Sequence, residues 1–223
     1  MIKFYSKSKT HKVLSNFYVS PFEIDGLTFV SGEHAFHYKK FKSVAAMYKT
    51  AKTKDTGPTS HNSDTQSSAP RKRKADSLSE PVNAKKFDDY ALKFASKSKF
   101  SSPLQAKRGG GKRGCMLFPE EQARWQKVCQ KAQEQICWSR LKSDKELAAT
   151  LLETEPKYLL HQENRGRNPI WGGRVQRDYD GPLDASAPIV GQNLLGKIWM
   201  KVRAKLKATT DKRKVTTALD TKT

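Results

Sequence analysis

The chain of 223 residues is short of acidic side chains and of cysteine, and it contains no long apolar run. Its three cysteines, Cys115, Cys129 and Cys137, form no CxxC pair, and none has a histidine at zinc-ligand spacing. That excludes a zinc-finger reading and leaves reduced thiols of an intracellular protein, with no metal or cofactor expected. No segment approaches the roughly 18 to 20 apolar residues of a membrane span. Met1 to Tyr5 leads into folded-looking sequence without the apolar core of a signal peptide. The expectation is a soluble protein, nuclear or cytoplasmic, with no membrane partner.

What the chain has in excess is positive charge: 43 Lys and Arg against 22 Asp and Glu, a formal net charge of +21. Such a balance predicts a polyanionic partner, either nucleic acid or a phosphorylated small molecule. The length suits one domain with a substantial core and room for an insertion.

Taken in order, Ile2 to Tyr5 predicts a short strand, and Phe22–Ile24 with Leu27–Val30 flank Asp25-Gly26, the strongest short hairpin signal. Ser31 is placed to cap a helix over 32–48. From Thr50 to Lys86 the residues are almost wholly polar, which predicts a disordered basic insertion. Within it Arg71-Lys72-Arg73-Lys74, followed by Lys85-Lys86, has the form of a nuclear-localisation signal or of an ordinary solvated charge run. Structure is expected to resume near Phe87. A short helix from Leu104 to Arg108 then ends in Gly109-Gly110-Gly111-Lys112-Arg113-Gly114, readable as a flexible connector or as a weak phosphate-binding loop without P-loop spacing. Pro119–Leu141 carries the clearest helical stripe, through Trp125, Val128, Cys129, Ala132, Ile136 and Leu141. A second helix starts at Ser143 or Asp144, a short strand is expected at 158–160, and a last helix follows Gly191-Gln192-Asn193. The basic tail, 207–223, is expected to be disordered.

The stretch Gly32 to Phe41 draws attention within this plan. On a helical wheel Glu33, His37 and Lys40 fall within about 60° of one another. Phe36 and Phe41 flank that arc, and Lys39, Lys42 and Ala35 mark the expected solvent face. The inward charges are either structural ion pairs or acid/base and nucleophilic groups lining a pocket. Trp125 reads as core or as a stacking surface, and Trp171, set between a polar loop and Gly172-Gly173, as a better stacking candidate.

Four separated blocks, Leu14-Ser15-Asn16-Phe17-Tyr18, Gly32-Glu33-His34-Ala35-Phe36 with Lys40-Phe41, Ile170-Trp171-Gly172, and Gly191-x-Asn193-x-Leu195-Gly196-x-x-x-Met200-x-Val202-Arg203, stand in the order found in the NADAR family. The chain resembles its YbiA-type N-glycosidases and ADP-ribosyl glycohydrolases. The resemblance implies a compact, α-rich α+β single domain, formed here by 1–49 and 87–206 around the 50–86 insertion. It also implies cleavage of an N-glycosidic bond. The substrate is then an ADP-ribosyl group on guanine in nucleic acid, or alternatively a ribosylamino-pyrimidine phosphate of the riboflavin pathway.

By position, the resemblance gives Glu33 and Lys40 the catalytic roles. His37 stands where the family usually has Gln, and Asn168 where an acidic residue often precedes the Trp, with Glu163 as the substitute carboxylate. Trp125, Trp171 and Gly172 would stack on or close over the base. Ser15, Asn16, Phe17 and Asn193 would line the substrate, and Lys107, Arg108 and Gly110 would meet the pyrophosphate. In one mechanism Lys40 forms a Schiff base at C1 while Glu33 moves protons; in the other Lys40 stays charged and Glu33 activates water. A basic, non-enzymatic nucleic-acid-binding protein is the rival reading, with the insertion and tail adding non-specific affinity in either case.

Overall fold

The structure, a computed structural model, describes residues 1–51, 80–95 and 99–220. Among them six short strands and six helices follow in the order β1 (Ile2–Phe4), β2 (Val19–Ile24), β3 (Leu27–Ser31), α1 (Gly32–Ala51), α2 (Glu80–Leu92), α3 (Pro103–Gly110), α4 (Pro119–Ser143), α5 (Lys145–Glu153), β4 (Leu159–His161), β5 (Arg174–Val175), β6 (Ile189–Val190) and α6 (Leu194–Asp220). The α-rich α+β class expected from the resemblance is the one observed. No described helix is long and apolar enough to cross a membrane.

Asp25 and Gly26 take φ values of 54° and 72°, the left-handed pair that a tight hairpin needs, and set Ile24 opposite Leu27 and Phe22 opposite Phe29. This register buries Phe22 and Phe29 under the N-terminal half of α1. β3 then runs straight into α1, which packs against α2, α3, α4 and β3. The helix is therefore covered on most sides. Ala35, expected on its solvent face, is wholly buried, and Lys39 and Lys42 reach the surface only to pair with Asp25 and Asp88.

A second core forms at the other end of the molecule. β1 and β4 pair in parallel, with Lys3 opposite Leu160 and Phe4 opposite His161. Over them lies α6, whose buried Trp199 donates from Nε1 to the Leu14 carbonyl at 2.8 Å. Asp144 caps α5 by accepting from the Leu147 amide at 2.9 Å. In α4 the buried face holds Glu121, Gln133 and Arg140 beside its apolar residues. Glu121 is held by the Phe118 amide at 2.7 Å and the Tyr48 hydroxyl at 2.6 Å.

Two boundaries differ from the sequence reading. α2 begins at Glu80 rather than near Phe87, because Ala84, Phe87 and Ala91 form a buried stripe against α1. At the other end, α6 is helical through Asp220, past the boundary expected at 206. The rest of the expected insertion, 52–79 with the Arg71–Lys74 run, lies outside the described residues, as do 221–223.

Candidate active site

α1 starts directly after β3, and its first turns carry the site. The Glu33 amide donates to the Asn16 carbonyl at 2.9 Å, which locks the 12–18 loop over the helix start. Asn16 then forms a reciprocal amide pair with Gln133 of α4, at 2.9 and 3.0 Å. Ser15 is buried and accepts from the Phe17 amide at 3.2 Å. Both side chains, expected to face substrate, also hold this loop.

Glu33 is 9% exposed, and its Oε1 lies 3.3 Å from His37 Nε2 one turn along. Because a carboxylate only accepts, Nε2 carries the proton and Nδ1 is left as an acceptor. Nδ1 is buried and meets no hydrogen-bond partner among the described residues. It faces Gly110 instead, where a Cβ would stand 1.9 Å away. Any other residue at 110 would displace the imidazole.

Lys40 reaches the same glycine from the next turn of α1. Its Nζ donates to the Gly110 carbonyl at 2.9 Å, and burial holds its pKa below the usual 10.5, with nearby Cys115 acting in the opposite sense. The C-terminal end of α3 thus bridges His37 and Lys40. Gly110 offers a carbonyl and a space there, at the negative end of the helix dipole. This close packing requires glycine at 110. Lys107 and Arg108 in the last turn of α3 are exposed, and Lys107 Nζ lies 5.4 Å over the Phe17 ring, tying α3 to the 12–18 loop.

Phe36 sits between two tryptophans. Its ring meets Trp125 at 4.9 Å and Trp171 at 5.0 Å, both edge to face. Trp125 is almost wholly buried and Trp171 half-buried, so one ring backs the wall and the other is partly open. Behind Trp171, a Cβ on Gly172 would stand 2.6 Å from the Glu163 Cβ, so this glycine lets Glu163 lie against the 171–173 turn.

Sequence reasoning passed over His161. Its Nδ1 donates to the Trp171 carbonyl at 3.2 Å, leaving Nε2 as the acceptor. Burial holds its pKa below 6.5, opposed by that hydrogen bond and by the charges of Glu163 and Glu33, while Lys107 adds to the lowering. The signal that could have found His161 is the pairing of β4 with β1, which no local pattern contains. Asn193 is also buried: its Oδ1 accepts from the His161 amide at 3.0 Å, and its Nδ2 donates to the Leu159 carbonyl at 2.8 Å and the Tyr158 hydroxyl at 3.1 Å. It staples β4 to the start of α6, with both of its side-chain polar atoms engaged. Asn168 is exposed.

One face of α1, lined by Glu33, His37 and Lys40, is therefore bounded by Phe36, Trp125 and Trp171 on one side and by α3 on the other. Such a face can hold an aromatic base and present a carboxylate and an amine to the atom attached to it. No cluster of His, Cys, Asp or Glu able to hold a metal ion occurs among the described residues.

Comparison with known proteins bears on the family and the fold. Among curated proteins no sequence matches the chain. Among solved structures, the NMR structure of the E. coli protein YbiA is similar to it, with a TM-score of 0.55 and 23% identity over 94% of this chain and 86% of that one. The model of the NADAR domain matches residues 3–207. With that match running from β1 into α6, the chain belongs to the NADAR domain family, a family of N-glycosidase type.

Proposed function

We propose that the protein removes ADP-ribose from guanine bases in nucleic acid by hydrolysing the N-glycosidic bond. The observation that carries this reading is the pairing, on one face of α1, of a nearly buried carboxylate at Glu33 with the burial-shifted amine of Lys40. The partly open Trp171 offers the base a stacking surface, and Lys107 stands beside the space for a phosphate. The net charge of +21 favours a polyanionic substrate.

In the chemistry proposed, Lys40 acts as the free amine, a form that its lowered pKa makes more abundant at neutral pH. Its Nζ leaves the Gly110 carbonyl and adds to C1 of the ring-opened ribosyl group, giving up a proton. Glu33, a carboxylate at the outset, takes up that proton and passes it to the base nitrogen, which departs with the bonding electrons, and C1 stays joined to Nζ as an imine. Glu33, now a carboxylate, takes a proton from water as the water adds to C1. Glu33 passes that proton to Nζ, whose departure returns the amine, the Glu33 carboxylate and free ADP-ribose. His37, hydrogen-bonded to Glu33, holds the carboxylate in place throughout.

The test is incubation with DNA carrying ADP-ribosylated guanosine and, separately, with a ribosylamino-pyrimidine phosphate, each with and without borohydride. Release of free ADP-ribose and a borohydride-trapped adduct at Lys40 are the expected results. Turnover of the pyrimidine substrate alone would replace the substrate assignment. Turnover without an adduct would leave Glu33 activating water directly. Salt-sensitive DNA binding with no turnover of either substrate would favour the non-enzymatic reading.

A further inference from the structure

Side chains alternate along β4 and the residues after it. His161 and Glu163 belong to the Glu33 side, where Phe4 lies 5.3 Å from the His161 ring. Leu160 and Gln162 face the other way, as does Lys3, which pairs opposite Leu160 in β1. On that reverse face they line a groove of about 340 Å³ together with Asn164, Arg174, Val175 and Arg177. The groove stands back to back with the candidate active site, separated by one strand.

Its chemistry is one-sided. Lys3, Arg174 and Arg177 supply three cations, Gln162 and Asn164 supply amide donors, and no carboxylate lines it. Several cations elsewhere on the described surface stand beside a carboxylate instead: Lys39 by Asp25, Lys42 and Lys49 by Asp88, and Lys207 by Glu155. The groove between α4 and α6 shows the contrast, since Glu134 there pairs with both Lys201 and Lys205. Arg174 donates one N–H to the Gly166 carbonyl at 3.0 Å, which orients its guanidinium and leaves further donors of its fork for a ligand. The same bond ties the groove to the 164–168 loop, where Arg165 and Arg167 are exposed. This loop follows Glu163 in the chain and meets the groove at Arg174, so its arginines stand in sequence between the two faces.

We infer that the groove between β1, β4 and β5 is a second phosphate site, which holds a backbone phosphate of the strand whose modified base lies at Glu33. The inference rests on the function proposed above for the choice of occupant. The groove cannot hold the sugar being cleaved, because β4 stands between them. A strand leaving the site past Glu163 and round Arg165 and Arg167 arrives at Lys3, Arg174 and Arg177. Phosphate contacts of this kind fix register and orientation without reading sequence.

The test is fluorescence anisotropy of an unmodified, labelled single-stranded oligonucleotide with the full chain, as a function of salt. It needs no turnover, so it stands or falls separately from the catalytic reading. The paired variant Lys3→Ala/Arg177→Ala removes two exposed cations and is compared with Lys201→Ala/Lys205→Ala, which removes the same charge from the groove that Glu134 neutralises. Circular-dichroism melting confirms that both fold. The expected result is that the first pair lowers the slope of log K against log salt by about 0.7, the value of one phosphate contact on a single strand. The control pair should lower it by less than half as much. Turnover of a mononucleoside substrate should be equal in all three proteins. Equal slopes for the two pairs, or no change in either, would overturn the site. Displacement of the oligonucleotide by ADP, abolished in Lys3→Ala/Arg177→Ala, would overturn the strand as occupant in favour of a small nucleotide.

Discussion

His37 rests its Nδ1 edge on Gly110, at a point where an added Cβ would come within 1.9 Å, while Lys40 donates to the carbonyl of that same glycine at 2.9 Å. One residue at the end of α3 therefore sets both the imidazole that holds Glu33 and the amine seven residues further along α1. This couples the α3–α4 segment to the candidate chemistry through packing alone.

Gly110→Ala is accordingly expected to do two things. Overpacking of a tight contact costs about 1–3 kcal/mol, and for a chain of this size each kcal/mol lowers Tm by about 2–4 °C. Turnover should fall further than the fraction unfolded explains, because His37 and Lys40 move with the displaced glycine. Differential scanning fluorimetry with activity measured well below Tm separates the two effects. A variant as stable and active as the parent would show that α3 does not position these groups.

Glu33→Gln keeps size and shape and removes only the capacity to carry a proton. Loss of a general acid–base group lowers kcat by about 10² to 10⁴. Stability should change little, since the amide can still accept from His37 Nε2. Release of ADP-ribose from modified DNA, alongside a melting curve, is the measurement. A fully active Glu33→Gln protein would remove this residue from the reaction.

His34 provides a pH dependence whose sign can be worked out. It is wholly buried, its Nε2 donates to the Phe100 carbonyl at 3.0 Å, and its Nδ1 lies 2.8 Å from the Ser31 hydroxyl, which fixes it as the neutral ring. Burial lowers its folded pKa below 6.5. Above the unfolded pKa both states are neutral and there is no penalty. As pH falls through about 6.5, the unfolded chain takes up a proton that the folded chain resists, so stability declines until the folded pKa is reached. His161 acts in the same sense. Tm should therefore fall between pH 7.5 and 5, and less steeply in His34→Gln, whatever that variant's absolute Tm. Equal slopes in the two proteins would exclude His34 as a source.

Which of these features the sequence exposed follows from the range of the interactions. The Asp25-Gly26 hairpin, the Asp144 cap and the α4 helix rest on contacts within a few residues, and local patterns report them. The start of α2 was hidden because Ala84, Phe87 and Ala91 are too few to stand out in a polar stretch until α1 covers them. The burial of Ala35, called a solvent face from its charged neighbours, depends on α2 and α4 packing around α1. The α1 face with Glu33, His37 and Lys40 was legible from helical spacing. Gly110 was readable only as flexible or phosphate-binding, since its neighbour His37 lies 73 positions away in sequence. His161 and Asn193 are likewise settled by the parallel pairing of β1 with β4 and by the seating of α6 on it.

Asn193 is where that seating can be tested most directly. It adopts a left-handed φ of 51° and satisfies the His161 amide, the Leu159 carbonyl and the Tyr158 hydroxyl with one side chain. Asn193→Gly relieves the backbone but deletes three hydrogen bonds, leaving a buried donor and acceptor unpaired at about 1–3 kcal/mol. Asn193→Ala deletes the same bonds and adds left-handed strain of about 1–2 kcal/mol. Asn193→Asp keeps the acceptor for His161 but sets a carboxylate against the Leu159 carbonyl. The expected order of Tm is wild type, then Gly, then Ala, with Asp below wild type at neutral pH and partly recovering as its carboxyl is protonated. Because both polar atoms of the Asn193 side chain are engaged in these bonds, KM measured on the folded protein should stay within about twofold in Asn193→Gly, a change worth roughly 0.4 kcal/mol. A tenfold rise in KM at unchanged Tm would instead place Asn193 among the groups that hold the substrate.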